Sequence, residues 1–215
     1  NANVGVITVK VTASDGSATV SDSFTLTVAN TNDAPTALAL SATAINENSA
    51  GAVVGTLTVT DPDSSDTYTY TLTGDDKDSF EVVNGQLKLK DSVTADYENK
   101  TSYAVTVTAT DSGGASTSQA FSVSVNNTND SPTLANALSD QSVNEDAAFS
   151  FTVPSGSFFD VDAGDSLTYT ATLSDGSALP SWLSFNTATQ TFSGTPVNAN
   201  VGVITVKVTA SDGSA

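Results

Sequence analysis

The sequence predicts tandem all-β domains of the Greek-key β-sandwich type, laid end to end. Three observations carry that expectation. Short apolar runs alternate with Thr, Ser and Lys at a period of two, as in Ile7-Thr8-Val9-Lys10-Val11 and Tyr103-Ala104-Val105-Thr106-Val107, the pattern of strands with one buried face. No stretch of any length shows helical periodicity. The text also repeats: residues 1–18 recur unchanged at 198–215, and Asn126-Asn-Thr-Asn-Asp-Ser-Pro132 has a near copy in Asn30-Thr-Asn-Asp-Ala-Pro35. A chain of 215 residues repeating at this spacing divides into units of about 100 residues, the usual size of one domain.

In chain order, residues 1–34 read as the last two strands of a preceding domain. Ile7-Val9-Val11 and Phe24-Leu26-Val28 supply the apolar faces, and Asp15-Gly16 the turn. Residues 35–131 read as a complete domain, with strands expected at Leu38–Leu40, Val53–Val59, Tyr68–Leu72, Phe80–Val83, Leu87–Lys90, Tyr103–Ala109 and Phe121–Val125. Asn84-Gly85 marks a two-residue hairpin, because both central residues of that turn need positive φ. Residues 132–215 read as another domain, with strands at Phe149–Val153, Leu167–Leu173, Trp182–Phe185, Thr191–Ser193 and Val203–Ala210. It lacks the final strand that Phe24–Val28 represents at the start of the chain. Trp182, Phe185 and Phe192 are expected in its core. A chain with the same strand at both ends reads as slightly more than one period of a longer array. The alternative, in which each molecule donates its first strands to a neighbour, stays open.

Composition narrows the chemistry. Cysteine, methionine, histidine and arginine are absent. Stability must therefore come from packing or bound ions rather than disulfides, and the usual ligands of zinc, copper and haem are missing. Twenty-four carboxylates face six lysines, for a formal charge of -18. That balance argues against nucleic acid or an anionic membrane as partner and makes cations the natural ones. No apolar run approaches the ~20 residues a membrane-spanning helix needs.

The carboxylates recur in matched places. Ile45-Asn-Glu-Asn-Ser-Ala matches Val143-Asn-Glu-Asp-Ala-Ala, and Asp61-Pro-Asp-Ser-Ser-Asp-Thr-Tyr matches Asp160-Val-Asp-Ala-Gly-Asp-Ser-Leu. Asp111 and Asp212 each end a Val-Thr-Ala-Xaa-Asp segment. Asp111 follows Tyr103, Val105, Val107 and Ala109 at steps of two, so it leaves the strand on the core-facing side, as Asp212 does after Ile204, Val206, Val208 and Ala210. Carboxylates held together repel by roughly 3 kcal/mol per pair at ~5 Å and an effective dielectric of ~20. A divalent cation reverses the sign. The oxygens on offer, from Asp, Glu, Asn and backbone carbonyls, are calcium's preferred set of 6–8 ligands, and magnesium's tighter octahedron suits them less. The competing view, that these acids merely sit solvated in Gly- and Ser-rich turns, is the common fate of such residues. Asp66 and Asp165 read equally as ligands or as turn formers, and Asp15, Asp75, Asp76 and Asp175 as turns.

Here the residues resemble a family. Residues 35–131 look like a cadherin repeat: Glu47 stands at the first calcium-binding Glu, Asp61 and Asp63 form the DxD motif, Asp96-Tyr-Glu98 resembles DRE, Asp111 ends the penultimate strand, and Asn127-Thr-Asn-Asp130 resembles the DxND linker. Residues 132–215 look like a dystroglycan-type cadherin-like domain through Leu179-Pro-Ser-Trp-Leu-Ser-Phe185 and Thr191-Phe-Ser-Gly-Thr-Pro196. The resemblance implies cadherin/immunoglobulin-like sandwiches with Ca2+ at the joints between consecutive repeats. The joint at Pro132 would draw on Glu47, Asp96, Glu98, Asn127, Asn129, Asp130, Asp160, Asp162 and Asp212. The joint at Pro35 would draw on Asn30, Asn32, Asp33, Asp61, Asp63 and Asp111, with the equivalent of Glu145 from the unit before it. This second joint is expected to be the weaker, since the dystroglycan-type unit has no DxE motif.

The function so implied is mechanical: a calcium-rigidified repeat of a long extracellular adhesin or surface fibre, cell-surface or secreted. Its partners would be neighbouring repeats, other copies in a fibre or a cell-surface ligand, with no nucleic acid and no membrane insertion. An enzyme is not expected, because without His, Cys and Arg the only catalytic arrangement left is a carboxylate pair, and Asp96 with Glu98 belongs to the calcium pattern. The alternative is a module whose loops bind carbohydrate or protein, for which Trp182 and the loop tyrosines are the candidates.

Overall fold

The computed structural model describes residues 4–63 and 66–214. The first three and the last positions of the duplicated text, and Ser64 and Ser65 within the acidic stretch, lie outside them. Among the described residues the regular structure is β-strand with two single turns of 3-10 helix, Lys77–Ser79 and Asn198–Asn200. The chain divides into a first compact unit running through Asn127 and a second from Thr128.

The first unit begins with a hairpin. β1 (Gly5–Ser14) and β2 (Thr19–Val28) pair antiparallel over their full length, from Gly5 opposite Val28 to Ser14 opposite Thr19. The turn closes on Asp15, whose carboxylate accepts the N–H groups of Ser17 and Ala18 at 2.8 and 2.7 Å. The hairpin pairs with no other strand among the described residues, and Ile7, Phe24 and Leu26 are left exposed.

The body of the unit is β3 (Ala37–Leu40), β4 (Ala44–Asn46), β5 (Val53–Thr60), β6 (Thr69–Thr73), β7 (Phe80–Val83), β8 (Gln86–Leu89), β9 (Ser102–Thr110) and β10 (Ser116–Asn126). They form two sheets, ordered β3-β5-β8-β7 and β4-β10-β9-β6. The inward residues of both faces make one core: Leu38, Val54, Leu57, Phe80, Leu87 and Leu89 from the first sheet, and Ile45, Tyr103, Val105, Val107, Val123 and Val125 from the second. Phe80 and Tyr103 meet edge to face across it at 5.7 Å. The β7–β8 turn has φ of 51° at Asn84 and 74° at Gly85, the left-handed pair that Asn-Gly predicts. Every expected strand of this body is present. β4 is additional: three residues show no alternation, and its place is fixed by parallel pairing to β10, about eighty positions away in sequence.

The second unit comprises β11 (Thr133–Leu134), β12 (Phe149–Thr152), β13 (Phe158–Phe159), β14 (Thr168–Leu173), β15 (Leu183–Asn186), β16 (Thr191–Gly194) and β17 (Val206–Ser211). The pairings are β11-β13, β12-β16-β15 and β14-β17. Its core is smaller, with Val153, Leu183 and Phe192 buried and Trp182, Phe185, Phe151 and Val208 partly so. Phe192 stacks between Phe185 and Phe151 at 4.5 and 6.4 Å. The expectation of a strand from Val203 needs correction. β17 begins at Val206, because its one ladder, to β14, ends where Leu173 faces Val206, and Val203 projects almost fully into solvent.

Candidate metal centre

The carboxylates of the first unit gather where strands end. β5 runs out at Thr60 and delivers Asp61-Pro62-Asp63, while the alternation of β9 carries Asp111 to the buried side as its parity predicts, 6% exposed. Asp63, buried, accepts the side-chain N–H of Asn30 at 2.8 Å and the backbone N–H of Asp33 at 2.7 Å. Its own N–H donates to Asp61 Oδ1 at 2.8 Å. Asp111 accepts from Asn32 Nδ2 at 3.0 Å and from the Ala115 N–H at 2.8 Å. Asp66 joins them: Asp61, Asp63 and Asp66 each offer an oxygen within 4.8 Å of the others. All six residues expected at the Pro35 joint from this side of it therefore lie in one bonded cluster.

The second unit builds the same network from different residues. Asp162 accepts the N–H of Asp130 at 2.7 Å and donates its own to Asp160 Oδ1 at 3.1 Å. Asp212 accepts from Asn129 Nδ2 at 3.0 Å and from the Ser214 N–H at 2.8 Å. Asp160, Asp162 and Asp165 bring oxygens within 4.8 Å of one another. Sequence reading left Asp66 and Asp165 undecided between ligand and turn; each makes the turn bond and also turns its carboxylate toward its neighbours. The N–H of Asp66 bonds the carbonyl of Asp63 and that of Asp165 the carbonyl of Asp162, both at 3.3 Å, while their carboxylates point back into the cluster.

At the other end of the first unit, Glu47 is 2% exposed and accepts the Tyr97 N–H at 2.6 Å. Glu98 brings an oxygen within 4.8 Å of it and takes a longer bond of 3.4 Å from Asn127 Nδ2. Asp96 is used differently: it caps its own turn by accepting the Asn99 N–H at 2.9 Å. Glu145, the counterpart of Glu47, is exposed. The backbone around the two is alike, with φ of 62° at both Asn48 and Asp146. Glu47, however, is covered by Asp96-Tyr97-Glu98, a segment the second unit does not have.

These oxygens fit a hard divalent cation. The donor set is carboxylate and amide oxygen throughout, and Oδ2 of Asp61, Asp66 and Asp160 is buried with no hydrogen-bond partner, a costly arrangement unless something positive completes it. Among the described residues the lysine ion pairs go to Asp76, Asp78, Glu81 and Asp91, none of them in a cluster. The strain registers in titration. Partial desolvation, then the charges of Asp162, Asp160 and Asp212, push the Asp165 carboxyl above its ordinary range. Desolvation and the Asp61 carboxylate likewise raise Tyr68. Sequence reading missed Tyr68, which lies on the rim of the first cluster, and Gly113, where a Cβ would fall 2.2 Å from the Asn32 side chain. A glycine one residue past Ser112 was the available signal.

The features expected of a ligand-binding module are weaker. Trp182 packs against the core of the second unit. An open groove of about 640 Å³ in that unit is lined by Thr170, Thr172, Leu179 and Phe185, among others, with no charged side chain.

Residues 41–128 match the family model described as Cadherin domain, and residues 131–215 the one described as "Putative Ig domain". The chain resembles solved cadherin ectodomains. A protocadherin gammaB7 EC3-6 cis-dimer structure is 24% identical with a TM-score of 0.55, covering 98% of this chain and 54% of that one. Human protocadherin-24 EC1-2 is 21% identical with a TM-score of 0.53, over 83% and 87%. Mouse protocadherin-24 EC1-3 is 21% identical with a TM-score of 0.52, over 97% and 79%. At these identities the likeness establishes the fold, and the chain spans about half the length of the first of them. The comparison with curated protein sequences returned no match.

Proposed function

From the premise that this chain is a cadherin domain followed by an Ig-like domain, we propose that it is a calcium-rigidified structural repeat of a long extracellular adhesin or surface fibre. The observation that supports the reading is the duplicated network, in which matched linker amides already grip matched aspartates and a matched Oδ2, on Asp61 and Asp160, is left without a partner. One ion site would use Asn30, Asn32, Asp33, Asp61, Asp63 and Asp111, with Asp66, completed by the equivalent of Glu145 from a preceding unit. The other would use Asn129, Asp130, Asp160, Asp162 and Asp212, with Asp165, completed by Glu47, Asp96, Glu98 and Asn127. The domain boundaries that follow are 1–34, 35–131 and 132–215.

Bound calcium would supply positive charge at the domain borders. The chain's own residues do the rest. Asp63 and Asp162 hold the linker backbone at Asp33 and Asp130, so neutralising their neighbours removes the repulsion that would otherwise work those bonds loose. Fixing the linker fixes the angle between consecutive domains. The proposed setting is extracellular, as for the cadherin ectodomains the chain resembles, where modules of this kind typically bind calcium at about 10⁻⁴–10⁻³ M. Among the described residues no helix is long and apolar enough to cross a membrane. No catalytic role is proposed, since the one carboxylate pair weighed for it, Asp96 with Glu98, is assigned to the ion set.

Small-angle scattering with calcium and with EGTA tests the proposal. The chain should be longer and narrower in its distance distribution with calcium, and Glu98→Gln should remove much of that difference. An identical distribution in both conditions would overturn it.

A further inference from the structure

Two aspartates at matched places in the acidic segments, Asp66 and Asp165, differ in how they are held. The hydroxyl of Ser112, the residue after Asp111, donates to Asp66 Oδ1 at 3.0 Å. The residue after Asp212 is Gly213, which has no hydroxyl to offer Asp165. Burial follows the same division. Asp66 is half-buried, with its Oδ2 enclosed and without a hydrogen-bond partner, whereas Asp165 is exposed. The Asp66 carboxylate lies within 4.8 Å of those of Asp61 and Asp63, and Asp61 Oδ2 is enclosed and unpartnered in the same way.

Repulsion from Asp61 and Asp63 drives a third carboxylate outward into water. A charge-assisted hydrogen bond from a neighbouring loop opposes that drift. It fixes one oxygen of Asp66 on Ser112 and leaves the other, Oδ2, for an ion, so the side chain has already given up its freedom when the ion arrives. We infer that Ser112 is a positioning residue of the first cluster, holding Asp66 in place as a ligand, and that the matched Asp165 has no such holder. The inference rests on the calcium reading above and goes past it. Ser112 belongs to no expected ligand set, yet it decides whether Asp66, which spacing leaves between ligand and turn, acts as a ligand.

The test is a double-mutant cycle in the full chain carrying Asp162→Asn, which disables the Pro132 site so that the first cluster is read alone. Terbium(III), a hard cation that accepts the same oxygen ligands, is titrated in and followed by the luminescence it gives when tyrosine is excited, Tyr68 lying on the rim of this cluster. Ser112→Ala should weaken terbium binding about tenfold, the size of loss seen when a group that orients a metal ligand is removed. Ser112→Thr, which keeps the hydroxyl, should restore most of it. Asp66→Ala should weaken binding at least as much, and in that background Ser112→Ala should add nothing. Unchanged binding in Ser112→Ala overturns the inference, and so does a loss that persists in the Asp66→Ala background; either result leaves the calcium reading standing. If the Asp162→Asn chain gives no terbium luminescence, the inference and the ion reading of this cluster fall together.

Discussion

Residues 5–14 and 202–211 have the same sequence and different structures. The first copy is a strand along its whole length; the second becomes one only at Val206. Local propensity is identical by construction, so the difference is entirely one of partners. β2 lies along all of the first copy, whereas β14 reaches only the last six residues of the second. Strand propensity describes a fit to neighbours more than a preference of the backbone. The same contrast separates the two units as wholes. The acidic network is built twice with the same linker-to-aspartate bonds, on bodies of unequal completeness, one with an extensive core and one resting on Val153, Leu183 and Phe192.

The largest expected effect probes that inequality. Leu87→Ala, at a fully buried position of the first core, should cost about 3 kcal/mol. In urea monitored by circular dichroism, the second unit should unfold first in the parent chain, and only the later transition should move in the variant. If both move together, the units are not independent.

Calcium probes the equality. At a hundredfold excess over its dissociation constant each site should gain about 2.7 kcal/mol, seen by calorimetry as a rise of both transitions. Asp63→Asn should cancel the gain that comes from the Pro35 site, and Asp162→Asn the gain that comes from the Pro132 site. A gain that survives Asp162→Asn would show that the matched networks do different things.

A smaller effect concerns a contact found only in the first unit. Asp76 pairs with Lys100 and accepts the Ala104 N–H at 2.8 Å, and the lysine bond above all holds its carboxyl below the ordinary range. A depressed folded pKa gives stability that is complete above the unfolded carboxylate value and is lost as pH falls through the folded one. Asp76→Asn should therefore cost about 1–2 kcal/mol at pH 7, with the difference from the parent shrinking in acid unfolding as pH falls below the ordinary carboxylate range. The smallest effect is expected from Gly113→Ala. Its Cβ turns the Asn32 amide away from Asp111, a loss of about 1 kcal/mol, visible as weaker calcium binding by titration calorimetry. The second unit offers no such test, since the matched position, two past Asp212, is Ser214, which already carries a Cβ.

What could be read in the sequence was what a short window contains. The β1–β2 hairpin, the Asn84-Gly85 turn and the inward parity of Asp111 all follow from spacing over a few residues, and all are present. β4, β11 and β13 escaped because two or three residues display no period, and their existence depends on strands far along the chain. Asp76 read as a turn because its lysine lies 24 residues away. Glu47 and Glu145 read alike because the segment that buries one of them is not adjacent to it. Asp66 and Asp165 stayed ambiguous for a different reason: a turn bond and an ion ligand use different atoms of the same residue, and spacing cannot separate the two.

The tight Asp15–Ala18 turn of the hairpin has a consequence for time. A nascent or refolding β2 finds β1 across about four residues, and hairpins of this kind close in about 1–10 µs. Reaching the identical strand near the other end of its own chain would mean closing a loop of roughly 180 residues, which costs about 3 kcal/mol more. The hairpin is thus the product formed first, whatever is formed last.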